Sequence, residues 1–465
     1  MKNITRRGFL SVTAAAGAAL PAGKANTANP SWPGFTSDTS LHTTPFMDQY
    51  YNGMQAIADG IRDTQIDAIA EAMENAYRCM RNGGRIFSNH IYGHTPRFAL
   101  NRNRPGQPWV LPSPGNGFFK KEDYDGLKKN DFVLTFRNSL DKGEIEARDR
   151  GVYIAGVTNS YFRFYKTPPG GLVPVRMENG FEDYSNIVID SQVPWENGLV
   201  SSPRLHFKFC PSTTTGSLHV YWACTASLAH LIATNGKGSP AEPAKKYLEL
   251  ACARFEMIGT DRPKIDAVTE QFADRMLDRK GRIIISGRPM ESGDTTSGRL
   301  GNMFADEATG AAASEAVLTY VEAVKDPGTD LRPEDVVMIG ATSSDNPYEI
   351  AVARAARKAG ALTVSFGPFE TAGDDPANRL YKETDAAFNT YSPERAGVLE
   401  IGDYDEKICP LTGVTGNLVH WMLTAQWADH MARRGEMPYF RLGMNYDGGE
   451  YNRTISVPNT KKRGY

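Results

Sequence analysis

Apolar residues recur at intervals of three and four along Met47–Asn82 and again along Ala244–Arg279, which predicts two long amphipathic helical stretches. Each is followed by a short apolar strand signal, "GGRIFS" from Gly83 and "KGRIII" from Lys280. Further continuous apolar runs follow in both halves: "FVLTF", "VYIAGV" and "SNIVID" in the first, "VVMIG", "LTVSF" and "DAAFNT" in the second. Runs apolar on every position, rather than on alternate ones, are those of parallel strands covered on both faces. Near the end of each half, "FCPSTTTGSLHVYWACTASLAHLIATNG" lies ungapped over "ICPLTGVTGNLVHWMLTAQWADHMARRG", with Cys-Pro, Trp, Thr-Ala and the final Gly in common. A unit of about 200 residues thus occurs twice, each read as helix, strand, helix, strand, helix, strand. The expected fold is α/β, two tandem three-layer α/β/α units with parallel sheets. The expected divisions are 1–28, 45–245, 246–440 and 441–465. These are an export signal, a first and more decayed unit, a second unit and a C-terminal arm.

Composition narrows the function classes. A net charge of −2 over 465 residues carries no basic footprint, so no nucleic-acid partner is expected. "MKNITRRGFLSVTAAAGAALPAGKANTA" pairs Arg6 with Arg7 ahead of a short, weakly apolar run and small residues. This reads as a twin-arginine export signal and a periplasmic location. The run is too short to span a bilayer, which takes about 20 apolar residues, so no membrane insertion is expected. The five cysteines are widely spaced without C-x-x-C or zinc spacing, and there is no G-x-G-x-x-G, so neither metal nor cofactor is expected.

The pattern of Asp, apolar strand, Ser/Thr-rich turn, helix ending in A-x-x-x-G and a second apolar strand resembles the SIS (sugar isomerase) domain family, whose units are flavodoxin-like. The resemblance covers roughly residues 45–435. It implies a sugar or sugar-derivative ligand, aldose–ketose isomerisation through an enediol, and a homodimer as one arrangement of the chain. "MFADEATG" is similar to the Phe-Ala-Glu-Glu-Leu-Thr-Gly segment of phosphoheptose isomerases, which places Glu307 as the catalytic base. Thr296 and Ser297 in "GDTTSG" fall where the family binds ligand. Thr342, Ser343 and Ser344 in "ATSSDNP" fall where its phosphate loop belongs. His420 on the last long helix and His94 in "NHIYGH", beside His90 in the same loop, are candidate acid/base groups. The chain departs from the family at Asp345, which would repel a phosphate, and the second loop of the first unit keeps no Ser-x-Ser-Gly pattern. With an exported location, these departures favour an unphosphorylated substrate. The alternative reading is a carbohydrate-derivative-binding protein without chemistry. An exported oxidoreductase is a third, and would need a cofactor.

Overall fold

The computed structural model describes residues 41–90, 108, 110–112, 119–136, 140, 142–158, 181–194, 198–205, 208–286, 302–303, 331–369, 378–394, 396–402, 404–438 and 440–441. The first half opens with helices α1 (Phe46–Thr64) and α2 (Ile66–Arg81). Phe46, Tyr50, Met54, Ile57 and Ile61 of α1 and Ile69, Ala72, Met73 and Ala76 of α2 are buried, so each helix turns one apolar stripe inward. The single helical stretch expected here is two helices, because the chain breaks at Gln65. The Gln65 side-chain oxygen there accepts the Asp190 N–H at 2.9 Å. Next come β1 (Ile86–His90), α3 (Lys121–Asp125), β2 (Phe132–Phe136), α4 (Lys142–Asp149), β3 (Tyr153–Thr158), α5 (Phe181–Tyr184) and β4 (Ile187–Asp190). A small antiparallel pair, β5 (Gly198–Val200) with β6 (Phe209–Pro211), leads into α6 (Thr213–Ala233).

The second half follows the same order. Helices α7 (Ala241–Gly259) and α8 (Arg262–Arg279) split the second helical stretch, with Pro263 opening α8. They lead to β7 (Ile283–Ser286), β8 (Asn302–Met303), β9 (Val336–Gly340), α9 (Pro347–Lys358), β10 (Leu362–Gly367) and β11 (Ala386–Asn389). Helix α10 (Thr412–Arg433) and β12 (Phe440–Arg441), which pairs with β8, complete it. Among the described residues there are two four-stranded parallel sheets, ordered β1-β2-β3-β4 and β7-β9-β10-β11. Each unit therefore has four sheet strands, not three. The fourth, β4 or β11, adds to the edge beside β3 or β10.

The halves match in backbone detail. Positive φ occurs at Gly83 and Lys280, Gly151 and Gly360, Gln192 and Tyr391, Cys210 and Cys409, and Gly236 and Gly435. Asp131 accepts hydrogen bonds from the Arg85 and Lys128 N–H groups, and Asp335 from those of Arg282 and Arg332. Burial works to raise both carboxyls, but these bonds and the arginines outweigh it and hold both below the usual range.

Each sheet is covered on both faces. One face of the first packs on α3 and α4 through Tyr124, Val133, Ala147 and Ile154. One face of the second packs on α9 through Val337, Ile339, Ile350 and Ala353. The other two faces share one continuous core. In it α2 packs on α6 and α8 on α10, each within its own half, whereas α1 crosses to α10 and α7 crosses to α6. The exchange is reciprocal. His42 pairs with Asp429 at 2.9 Å, the Phe46 N–H donates to Asp429, and Arg262 reaches Asp48 at 3.2 Å. The 245/246 division expected from the repeat lies inside α7.

Candidate functional site

In open parallel sheets, ligand-binding loops follow the strand C-termini. At that edge of the second sheet, β9 ends at Gly340 and the turn Ala341–Asn346 leads into α9, whose first residue is Pro347. The Ala341 N–H donates to the Phe366 carbonyl at 2.9 Å, which ties the turn to the end of β10. Thr342 is half-buried, and Ser343 and Ser344 are buried. The Ser343 hydroxyl donates to Asp345, the Ser344 N–H donates to Glu394 Oε1 at 2.6 Å, and the Leu380 N–H donates to the Ser344 carbonyl at 2.7 Å. Arg379, also buried, stands 3.8 Å from Asp345.

Beyond β11, the Thr390 N–H bonds to the Gly367 carbonyl at 3.0 Å. The Ser392 hydroxyl lies 2.8 Å from that of Thr415, in the first turn of α10. This helix is buried on almost every side, so its polar residues are interior. Asn417 and His420, three residues apart, share a face. The His420 ring lies against Phe366 and Trp421, at centroid distances of 6.2 and 4.8 Å. Phe366 thus joins the turn after β9, through its carbonyl, to His420, through its ring. Burial pushes the His420 imidazole down to about 3 and keeps it neutral.

The polar groups at this edge are incompletely satisfied. The hydroxyls of Ser286, Ser344 and Thr390, both amide atoms of Asn417 and both ring nitrogens of His420 are buried without a hydrogen-bond partner among the described residues. Ser286, at the end of β7, shares the face of Ile284 that packs on α9, while Asn417 and His420 stand on the α10 side. A buried polar group left unpaired costs about 1–3 kcal/mol, and these five residues are spread from the end of β7 to the segment after β11 and over both faces of the sheet.

The first sheet differs. Asn89 donates to Glu144 Oε1 at 2.7 Å and accepts the Phe119 N–H, and Thr135 donates to Glu144 at 2.6 Å. The Ser88 hydroxyl donates to the Leu111 carbonyl at 2.9 Å. There the chain itself answers Ser88, Asn89 and Thr135, while His219 Nε2 on α6 has no partner among the described residues.

Of the residues singled out from sequence, Thr342, Ser343 and Ser344 lie in the turn after β9, and His420 lies on α10 against Phe366 of β10. Glu307, Ser297, Thr296 and His94 lie outside the described residues. His90 ends β1 rather than standing in a loop. Sequence reading missed Glu394, Thr390, Ser286 and Asn417, and also Glu144 and Glu349, each a buried acid at the third residue of the helix after its unit's second strand. For Asn417 a signal existed, since a polar residue inside a helix apolar all round is interior. Among the described residues, no grouping suited to a metal occurs and no helix is long and apolar enough to cross a membrane.

No family model matches this chain. It is similar to the UPF0309 protein of Geobacillus kaustophilus strain HTA426, 29% identical over 139 residues, which are 29% of this chain and 55% of that protein. The UPF0309 protein of Geobacillus thermodenitrificans strain NG80-2 is 30% identical over 130 residues, 27% of this chain and 52% of that protein. The chain thus spans about half the length of the curated relatives it matches. Among solved structures it is similar to the C-terminal domain of glucosamine-fructose-6-phosphate aminotransferase from Francisella tularensis. The TM-score is 0.45 with 10% identity, over 86% of this chain and 99% of that one. For tagatose-6-phosphate ketose/aldose isomerase from Escherichia coli the TM-score is 0.41 with 12% identity, over 85% and 97%.

Proposed function

We propose that the chain binds a sugar or sugar derivative at the C-terminal edge of the second sheet and interconverts its aldose and ketose forms, outside the cytoplasm after twin-arginine export. The observation that carries the binding is the set of buried, unpartnered, uncharged groups on Ser286, Ser344, Thr390, Asn417 and His420. Neutral donors and acceptors spread around one edge suit a polyhydroxylated ligand, whose hydroxyls both give and take hydrogen bonds. The chemical step is assigned to Glu307, which moves a proton between C1 and C2 while hydroxyl and amide groups hold the sugar oxygens.

One observation favours a second reading, binding without chemistry. His420, held neutral by burial with its pKa down at about 3, is not the imidazolium acid that would protonate a ring oxygen at neutral pH. The two readings part on one experiment. A panel of free and phosphorylated sugars is screened by thermal shift, since a ligand of the native state raises its stability. A binder is then followed for aldose–ketose conversion with the native chain and with Glu307→Gln. The isomerase reading expects conversion that falls at least ~100-fold in Glu307→Gln with binding retained. Binding with no conversion selects the second reading, and no binding by any sugar removes both.

A further inference from the structure

The turn after β9 restricts the chemical class of that ligand, and this step rests on the sugar-site reading. A turn that holds phosphate offers backbone N–H groups and hydroxyls at a helix N-terminus to the anion. Here one such N–H group and one such hydroxyl already serve the protein's own carboxylates. The Ser344 N–H donates to Glu394 at 2.6 Å and the Ser343 hydroxyl to Asp345. Glu394 is supplied from the segment after β11, two strands away across the sheet, so the contact is tertiary rather than a local turn bond. Arg379 stands 3.8 Å from Asp345, which gives its guanidinium an internal counter-charge. What the turn still offers is neutral. The Ser344 hydroxyl is 2% exposed and has no partner. A phosphate entering the turn would have to displace Glu394 from the amide and stand beside two carboxylates against one guanidinium, a net negative charge that raises its energy at short range. A sugar hydroxyl has only to bond the Ser344 oxygen.

We infer that Glu394 and Asp345 are specificity-determining residues that close this turn to phosphate and restrict the site to unphosphorylated sugars. The test is calorimetric titration of the full chain with inorganic phosphate, and with glucosamine against glucosamine 6-phosphate and fructose against fructose 6-phosphate. The native chain should show no phosphate binding at 10 mM, and any sugar bound should bind at least ~10-fold more weakly in its phosphorylated form. Glu394→Ala combined with Asp345→Asn should gain at least ~10-fold in phosphate affinity. Glu394→Gln alone keeps an acceptor for the Ser344 N–H, serves if the double variant does not fold, and should gain at least ~3-fold. Phosphate binding by the native chain as tight as by the variants, or no gain in any folded variant, overturns the inference. A gain of phosphate affinity with no sugar bound by any form upholds the exclusion and removes the sugar reading, so the two fail separately.

Discussion

Acidification from pH 7 to pH 5 should weaken the fold through two histidines. Burial pushes His219 down to about 4, although its Nδ1 lies 2.7 Å from the Thr215 carbonyl, and pushes His420 down to about 3. Both start from an ordinary value of 6.5, so in the folded chain each stays neutral throughout the window while in the unfolded chain each takes up a proton below 6.5. A group whose folded pKa is lowered in this way contributes stability that is complete above 6.5 and is lost as pH falls towards the folded pKa. Each pH unit is worth about 1.4 kcal/mol per group, so each histidine forfeits about 2 kcal/mol by pH 5 and the pair about 4 kcal/mol. The lowered carboxyls of Asp131, Asp335 and Asp429 act below their ordinary 3.8, outside this window. Asp261, raised by burial against the pull of Lys264, works in the opposite sense. Urea unfolding followed by circular dichroism at pH 8, 7, 6 and 5 measures the effect, and His420→Phe should remove about half of the slope between pH 6.5 and 5. A flat stability from pH 7 to 5, or a ring proton of either histidine titrating near 6.5 in the folded chain, would refute the reasoning.

Three further outcomes are expected. A Cβ at Gly84 would stand 1.8 Å from the Asn130 carbonyl oxygen and one at Gly281 2.1 Å from that of Glu334, so Gly84→Ala and Gly281→Ala should each cost about 2 kcal/mol or more in urea unfolding. Equal stability to the native chain would contradict the matched geometry. Because α7 covers α6 and α1 covers α10, residues 29–240 and 241–465 expressed apart should each lack cooperative unfolding, and co-expression should restore one complex. Two independently folded halves would contradict the exchange. Replacing Arg6 and Arg7 together with Lys should leave the protein in the cytoplasm on fractionation, and unchanged export would show that the leader was misread.

The sheets were legible because their strands are continuously apolar, a pattern that needs cover on both faces whatever lies there. "FVLTF" and "VVMIG" fall on β2 and β9 residue for residue. The partners of the helices were not legible. An apolar stripe such as Phe46, Tyr50, Met54, Ile57 and Ile61 says that a face is buried but not by what, and α1 meets the helix of the other half. The turn after β9 was legible from an apolar strand running into Thr342, Ser343 and Ser344. Glu394 was not, because its role depends on a bond to a residue 50 positions earlier that only the folded sheet makes. The same holds for Asn417, Thr390 and Ser286, whose side-chain polar atoms have no partner among the described residues.

The most direct test of the sugar site is thermal unfolding of Asn417→Leu with and without the sugar that binds the native chain. Asn417 is 1% exposed and neither of its amide atoms has a partner among the described residues, so an apolar side chain of similar size removes an unsatisfied group. If those atoms await a ligand, the unliganded variant should be more stable than the native chain, by about 1 kcal/mol, and the stabilisation by sugar should be lost. A variant that is less stable when empty and keeps the full stabilisation by sugar would contradict a sugar site at this sheet edge.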